Sequence, residues 1–185
     1  MADALLCLVR PLLSGVVKLI SGATCNKVVA VVVPRYCGKS HFVNSISADS
    51  TLLLDLEENI TLQLSADEKE KLQSLVGNSS YNLHYFPICK KYLEETKKNH
   101  KFKRIVIFVS DLSLVKYLGI KEVHTFIPSN TLTRTLGDTL TEDKKSKLEE
   151  SRLALLLATK KINTFSDFGE LSKALIDKFK LQQKL

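Results

Sequence analysis

The sequence predicts a three-layer α/β fold, in which helices cover both faces of a mainly parallel sheet. Residues 27–33 form a continuous, mostly β-branched run, which is the composition of a central strand buried on both faces. Shorter apolar runs follow along the chain, at residues 51–55, 104–111, 122–127 and 161–165. Segments with helical signals separate these runs, and such alternation implies right-handed crossovers between parallel strands.

Length and composition favour one ordinary globular domain over the whole chain, residues 1–185. The chain has only four prolines and seven glycines, which argues against a disordered or low-complexity protein. No repeat or linker divides it, and its length allows a substantial core. The formal net charge of +7 favours anionic partners, namely nucleotides, nucleic acid or acidic membrane surfaces. The main basic cluster, at residues 90–104, is interpreted as a solvated helix face.

The four cysteines, Cys7, Cys25, Cys37 and Cys89, lie far apart in the sequence. No pair has the spacing of a zinc site or a redox motif. We interpret them as free thiols in a reducing compartment, and we expect a cytoplasmic protein.

The N-terminal segment is strongly apolar over residues 4–23, yet it contains Arg10, Pro11 and Lys18. A membrane-spanning helix tolerates few charges, and a signal peptide carries its basic residues before the apolar run. We expect residues 1–24 to form an apolar helical segment that packs on the domain. A helix that binds a membrane surface or a protein partner is the alternative.

The first strand is ended by Pro34, and a short helix is predicted from residue 40 to about residue 47. After the second strand, Ser65 is followed three residues later by Glu68, which is the pattern of a helix capping box. Residues 77–80 are expected to break this helix, and residues 86–98 are expected to form the next one.

The last third of the chain begins with a polar segment, residues 129–150, which is expected to be mobile at its start and to act as a lid. Helical signals return over residues 143–160. After the last strand, Ser166 is predicted to cap a helix over residues 167–181, whose apolar side chains share one face.

A candidate phosphate-binding turn follows the first strand. The P-loop pattern, G-x-x-x-x-G-K-[ST], falls on residues 33–40: Gly38, Lys39 and Ser40 match it, and Val33 replaces the first glycine. Unpaired amides at a helix start attract anions, and Gly38 allows a close backbone approach. Lys39 would reach the phosphates, and the Ser40 hydroxyl would join a magnesium shell. The alternative is a surface turn in which Lys39 is merely solvated.

Seven residues of this turn are the candidates for binding a nucleotide: Arg35, Tyr36, Cys37, Gly38, Lys39, Ser40 and His41.

Two acids end predicted strands, where open parallel sheets bind their ligands. Asp111 ends the predicted strand at residues 104–111 and could hold magnesium. Asp55 ends the second strand and could accept a proton from a substrate hydroxyl. For both residues, the alternative is a cap for the turn or helix that follows.

Two arginines are candidates for neutralising charge on a transferred phosphoryl group. Arg134 lies in the polar lid segment, and Arg152 begins the helix beyond it. The alternative for Arg152 is an exposed helical partner of Glu149.

The order of these parts over residues 27–180 resembles the P-loop NTPase superfamily, especially small nucleoside and nucleoside-monophosphate kinases. The resemblance implies a P-loop fold with a five-stranded sheet in the order 2-3-1-4-5. It implies ATP or another NTP and Mg²⁺ as cofactors. Lys39 would bind the phosphates, and Ser40 and Asp111 would bind the metal. It further implies that Asp55 is the substrate-side acid and that Arg134 and Arg152 serve the lid.

These observations predict an ATP-dependent phosphotransferase or NTPase that acts on a nucleotide or a nucleic-acid end. The alternative is a catalytically degenerate P-loop module that binds RNA or a protein partner through its basic face. Degenerate P-loops of this kind are typical of viral and fast-diverging proteins. A third hypothesis is a peripheral membrane protein anchored by residues 4–23.

Overall fold

The structure, a computed structural model, describes residues 27–78, 80–99 and 102–183. The apolar segment predicted over residues 1–24 lies outside these residues, and so do Cys7 and Cys25.

A five-stranded sheet organises the described chain. In chain order, the strands are β1 (Lys27–Val32), β2 (Ile46–Ser47), β3 (Thr51–Asp55), β4 (Arg104–Val109), β5 (Glu122–Pro128), β6 (Asn163–Phe165) and β7 (Gln182–Gln183). The main sheet has the order β3-β4-β1-β5-β6, and all its neighbouring strands are parallel. Numbered by appearance within this sheet, the order is 2-3-1-4-5, so the predicted fold class is confirmed. Strands β2 and β7 form a separate antiparallel pair.

Eight helices are described. They are α1 (Lys39–Ser45), α2 (Leu56–Gln63), α3 (Ala66–Ser74), α4 (Tyr81–Asn99), α5 (Leu112–Tyr117), α6 (Asn130–Asp138), α7 (Glu142–Ala158) and α8 (Phe168–Phe179).

Strand β1 lies in the middle of the sheet because its side chains are apolar on both faces. Val29 and Val31 belong to one buried cluster, and Ala30 and Val32 belong to the other. All four are fully buried. This double burial is what the β-branched run predicts for a central parallel strand.

Two helical layers cover the sheet. One core contains side chains of α2, α4 and α5, and the other contains side chains of α1 and α8. Helix α7 contributes Leu148 to the second core and Leu155 to the first. It also contacts the chain just beyond β1 and the end of β5, because its Ser151 and Arg152 form hydrogen bonds there. Helix α7 therefore crosses the carboxyl end of the central strands.

Several helix starts differ from the expectations. Helix α2 begins directly after Asp55 and was not predicted, whereas the capping box of Ser65 and Glu68 is confirmed at the start of α3. Helix α4 begins five residues before the predicted residue 86.

The predictions for the last third of the chain also need correction. The segment 129–150, which is expected to be mobile at its start and to act as a lid, begins with helix α6, which Ser129 caps and in which Thr133 is buried. Ser166 is not the cap of α8: Asp167 accepts a hydrogen bond from the Glu170 amide, and Ser166 instead donates its own amide to Glu170.

Within the described ranges, no helix combines the length and the apolar character needed to cross a lipid bilayer.

Candidate nucleotide-binding site

The turn after β1 begins with Val33, the residue that replaces the first glycine of the pattern. Its amide donates a hydrogen bond to the Val109 carbonyl at 3.0 Å, and its side chain is buried. Val33 therefore continues the pairing of β1 with β4. The substitution lengthens the central strand by one residue and leaves residues 34–38 to form the turn.

Gly38 joins this turn to helix α1, and it occupies a position that requires glycine. Its φ is +72°, in the left-handed region that other residues rarely adopt. A Cβ atom at this position would lie 3.1 Å from the Phe168 ring. Helix α1 has no side-chain cap and no acidic residue in its first turn. Among the described groups, none accepts a hydrogen bond from the amides of residues 36–40.

Lys39 is buried at the carboxyl end of the sheet, so the alternative of a merely solvated lysine is wrong. Its ammonium donates a hydrogen bond to Ser110 Oγ at 2.5 Å and lies 3.4 Å from Glu57 Oε2. Glu57 in turn accepts hydrogen bonds from the amide and the hydroxyl of Ser110, at 2.7 and 2.9 Å. These three residues form a closed network beside the turn, which compensates the buried charge of Lys39.

Ser40 faces an acid at the end of β3, which lies beyond β4 in the sheet. Its hydroxyl donates a hydrogen bond to Asp55 Oδ2 at 2.8 Å. The other carboxylate oxygen of Asp55 accepts from the Glu58 amide at 3.3 Å and thereby caps α2. Burial raises the pKa of Asp55, and the Ser40 hydrogen bond and the charge of Lys39 act against this rise. Asp55 therefore both caps a helix and lies at the candidate site.

Asp111 follows β4, as the sequence predicts, but its carboxylate is occupied locally. One oxygen accepts hydrogen bonds from the amide and the hydroxyl of Ser113, at 2.7 and 2.6 Å, and caps α5. No hydrogen bond or ion pair joins Asp111 to the turn in the described chain. Of the two roles considered for Asp111, the structure therefore shows the helix cap.

A cleft of about 330 Å³ opens beside this network. Its lining comes from the turn, from the end of β4 and from α7, and comprises Arg35, Ser110, Asp111, Lys147, Glu150, Ser151 and Ala154. The Arg35 amide donates to Ser151 Oγ at 3.1 Å, so α7 is attached to the turn. The lining carries two cationic side chains, Arg35 and Lys147, and two carboxylates, Asp111 and Glu150. Lys147 also forms an ion pair with Asp143 at 2.7 Å.

The two candidate lid arginines differ in their surroundings. Only 14% of the Arg152 side chain is exposed, and it donates hydrogen bonds to the Pro128 carbonyl and the Asn130 side chain. It therefore attaches α7 to the end of β5. The alternative of an exposed partner of Glu149 is wrong about the exposure, while the pairing with Glu149 is present at 3.9 Å. Arg134 is exposed on α6 and has no hydrogen bond or ion pair with the described residues.

Three further candidates of the turn contribute in different ways. Tyr36 and His41 are exposed. Cys37 is fully buried in the core that also contains Phe42, and burial raises the pKa of its thiol to about 12. Because its side chain points into the core, Cys37 can offer a ligand only its backbone.

Sequence reasoning did not assign roles to Glu57 and Ser110, which hold Lys39. A signal for both exists, since Glu57 lies two residues after Asp55 and Ser110 directly precedes Asp111. Both positions follow strands of the sheet and therefore lie at its carboxyl edge, where ligands of such sheets bind.

Comparison with known proteins does not assign the chain to a family. No family model matches the chain, and no curated protein matches it at a significant level. The functional argument rests on the residues and distances given above.

Proposed function

We propose that this chain is a nucleotide-binding P-loop protein that acts as an ATP-dependent phosphotransferase or NTPase on a nucleotide or a nucleic-acid end. One observation carries the proposal: the buried ammonium of Lys39, held at the carboxyl end of the central strand beside an open cleft. Strand β1 lies between β4 and β5, which is the switch point where open α/β sheets bind ligands.

The free-energy cost of burying the Lys39 ammonium supports a role for this residue in binding an anion. Burying an ammonium is costly, and an ion pair offsets that cost only with good geometry and further hydrogen bonds. An apolar side chain at this position would avoid the cost altogether. A negatively charged ligand would account for a buried lysine next to the unpaired amides of the turn.

The residues of the turn fit the phosphates of a nucleotide. Gly38 gives the turn its left-handed backbone conformation, and the Lys39 ammonium can move from Ser110 to a phosphate oxygen. Arg35 and Lys147 would add positive charge on the cleft side. Bound Mg-ATP would supply the transferable phosphoryl group and the metal charge that neutralises it. A cytoplasmic location, where ATP is available and thiols stay reduced, belongs to this proposal.

A label-transfer assay tests the activity. The protein is incubated with magnesium and ATP labelled at the γ-phosphate, together with nucleosides, nucleoside monophosphates or oligonucleotides with a free 5′-hydroxyl. We expect transfer to one acceptor class or release of labelled phosphate. Ser40→Ala should abolish it, whereas Ser74→Ala, which removes an exposed hydroxyl on α3, should not.

The outcomes separate two functions. If ATP binds but no label moves with any acceptor, the catalytic proposal is wrong. The second candidate, a degenerate P-loop module that binds a macromolecular partner, then takes its place. The specific observation that favours this second candidate is that Glu57 already neutralises Lys39. A protein that does not bind ATP at all contradicts the nucleotide proposal itself.

A further inference from the structure

We infer that the protein carboxylate of the magnesium site is Asp55 on β3, and not Asp111, which the strand pattern selects after β4. This inference rests on the proposed function, because the site would be completed by the phosphates of a bound nucleotide. It gives Asp55 a role different from that of the substrate-side acid.

The distance between Ser40 and Asp55 is the first argument. Magnesium is octahedral with ligands at about 2.0–2.1 Å, so two adjacent oxygens of its shell are about 2.9 Å apart. The Ser40 hydroxyl and Asp55 Oδ2 are 2.8 Å apart. The two oxygens already have the spacing of neighbouring magnesium ligands, and they lie beside the phosphate-binding turn.

The surroundings of Asp111 are the second argument. Its carboxylate is fixed by Ser113 through two short hydrogen bonds, and these satisfy the start of α5. No hydrogen bond joins Asp111 to Ser40 within the described residues. Asp55 differs, because one of its oxygens caps α2 while the other already accepts a hydrogen bond from Ser40.

The composition of the site predicts that metal binding depends on the nucleotide. The described residues contain no group of three or more His, Cys, Asp or Glu that could hold a metal alone. Magnesium commonly uses one or two carboxylates together with substrate phosphates. One hydroxyl and one carboxylate fit such a shared shell, so we expect tight metal binding only when the nucleotide is present.

Manganese binding tests the inference without relying on turnover. Free Mn²⁺ is measured by electron paramagnetic resonance with a non-hydrolysable ATP analogue and the wild type, Asp55→Asn or Asp111→Asn. Asparagine caps a helix about as well as aspartate, so both variants keep their caps. We expect Asp55→Asn to weaken Mn²⁺ binding by about tenfold or more, and Asp111→Asn to change it by less than about twofold.

Each outcome decides between the two acids. Loss of Mn²⁺ binding in Asp111→Asn but not in Asp55→Asn overturns the inference and leaves nucleotide binding intact. A wild type that does not bind the analogue overturns both the inference and the proposed function. If Asp55→Asn fails to fold, paramagnetic broadening in the wild type decides: amide signals of residues 55–57 should broaden more than those of residues 111–113, and the reverse order contradicts the inference.

Discussion

Glu57 is the carboxylate that pairs with the ammonium of Lys39 in this structure. Its carboxylate lies 3.4 Å from the ammonium and also accepts two hydrogen bonds from Ser110. A phosphate that binds to Lys39 has to replace this carboxylate as the main negative partner. Glu57 is therefore a competitor of the proposed ligand, although it stabilises the buried lysine.

Replacement of Glu57 by glutamine tests this competition. Glu57→Gln keeps the size of the side chain and one of its two acceptor oxygens but removes the charge, so we expect ATP to bind more tightly. An ion pair worth about 1 kcal/mol corresponds to an increase in affinity of about fivefold. Calorimetric titration with Mg-ATP measures it, with Glu58→Gln as the exposed control. Weaker ATP binding in Glu57→Gln would contradict this competition and would show that Glu57 stabilises the complex with ATP.

The residues of the site could be predicted only in part. The turn was visible because Gly38, Lys39 and Ser40 are adjacent in the sequence. The partners of Lys39 were not, because Glu57 and Ser110 are 53 residues apart and meet only when β3 and β4 pair.

The choice between the two candidate acids also depends on more than the sequence pattern. Asp55 and Asp111 both follow strands and cap helices, so the pattern treats them alike. They differ because Ser113 offers an amide and a hydroxyl to Asp111, whereas Ser40 turns toward Asp55. Such differences depend on side-chain orientation, which strand and helix signals do not contain.

At the scale of elements, the contact between helix α8 and the turn is a feature that only the structure shows. Phe168, the first residue of α8, places its ring beside Gly38. The turn is thus held between the end of β1 and the start of α8. This packing helps to fix the backbone conformation that the proposed phosphate site needs.

Alanine substitutions at two glycines separate the backbone contribution from this contact. Gly38 and Gly77 both have positive φ, but only Gly38 has a neighbour within 4 Å of an added Cβ. The left-handed conformation alone should cost about 1–2 kcal/mol at either position. We expect Gly38→Ala to reduce the free energy of unfolding by more than Gly77→Ala does, as measured by urea denaturation. Equal losses would show that the Phe168 ring moves aside without cost.

The elements were predicted better than their boundaries. Apolar runs identify the five strands of the main sheet, whereas the two-residue strands β2 and β7 were not predicted. The capping box at Ser65 fixes one helix start. Helix α2 was missed because its sequence mixes polar and apolar residues without a clear stripe, and because its cap, Asp55, is also the last residue of β3. Its formation depends on that cap and on the burial of Leu56 and Ile60 against the sheet.

At the scale of the whole molecule, the order of the strands explains why the candidate residues meet. Lys39 and Ser40 follow β1, Asp55 and Glu57 follow β3, and Ser110 follows β4. These three strands are neighbours and parallel, so their carboxyl ends lie at one edge of the sheet. The sequence predicts this edge through the alternation of strands and helices, and the order places the acids beside the lysine.

The most direct measurement of the central claim is a calorimetric titration of the protein with ATP and magnesium, comparing the wild type with Lys39→Ala. A charge-assisted hydrogen bond to a phosphate contributes about 1.5–3 kcal/mol, so the substitution should weaken ATP binding by about tenfold or more. Lys69→Ala removes the same charge from an exposed position on α3 and should bind like the wild type. Equal ATP affinity in the wild type and Lys39→Ala would contradict the account.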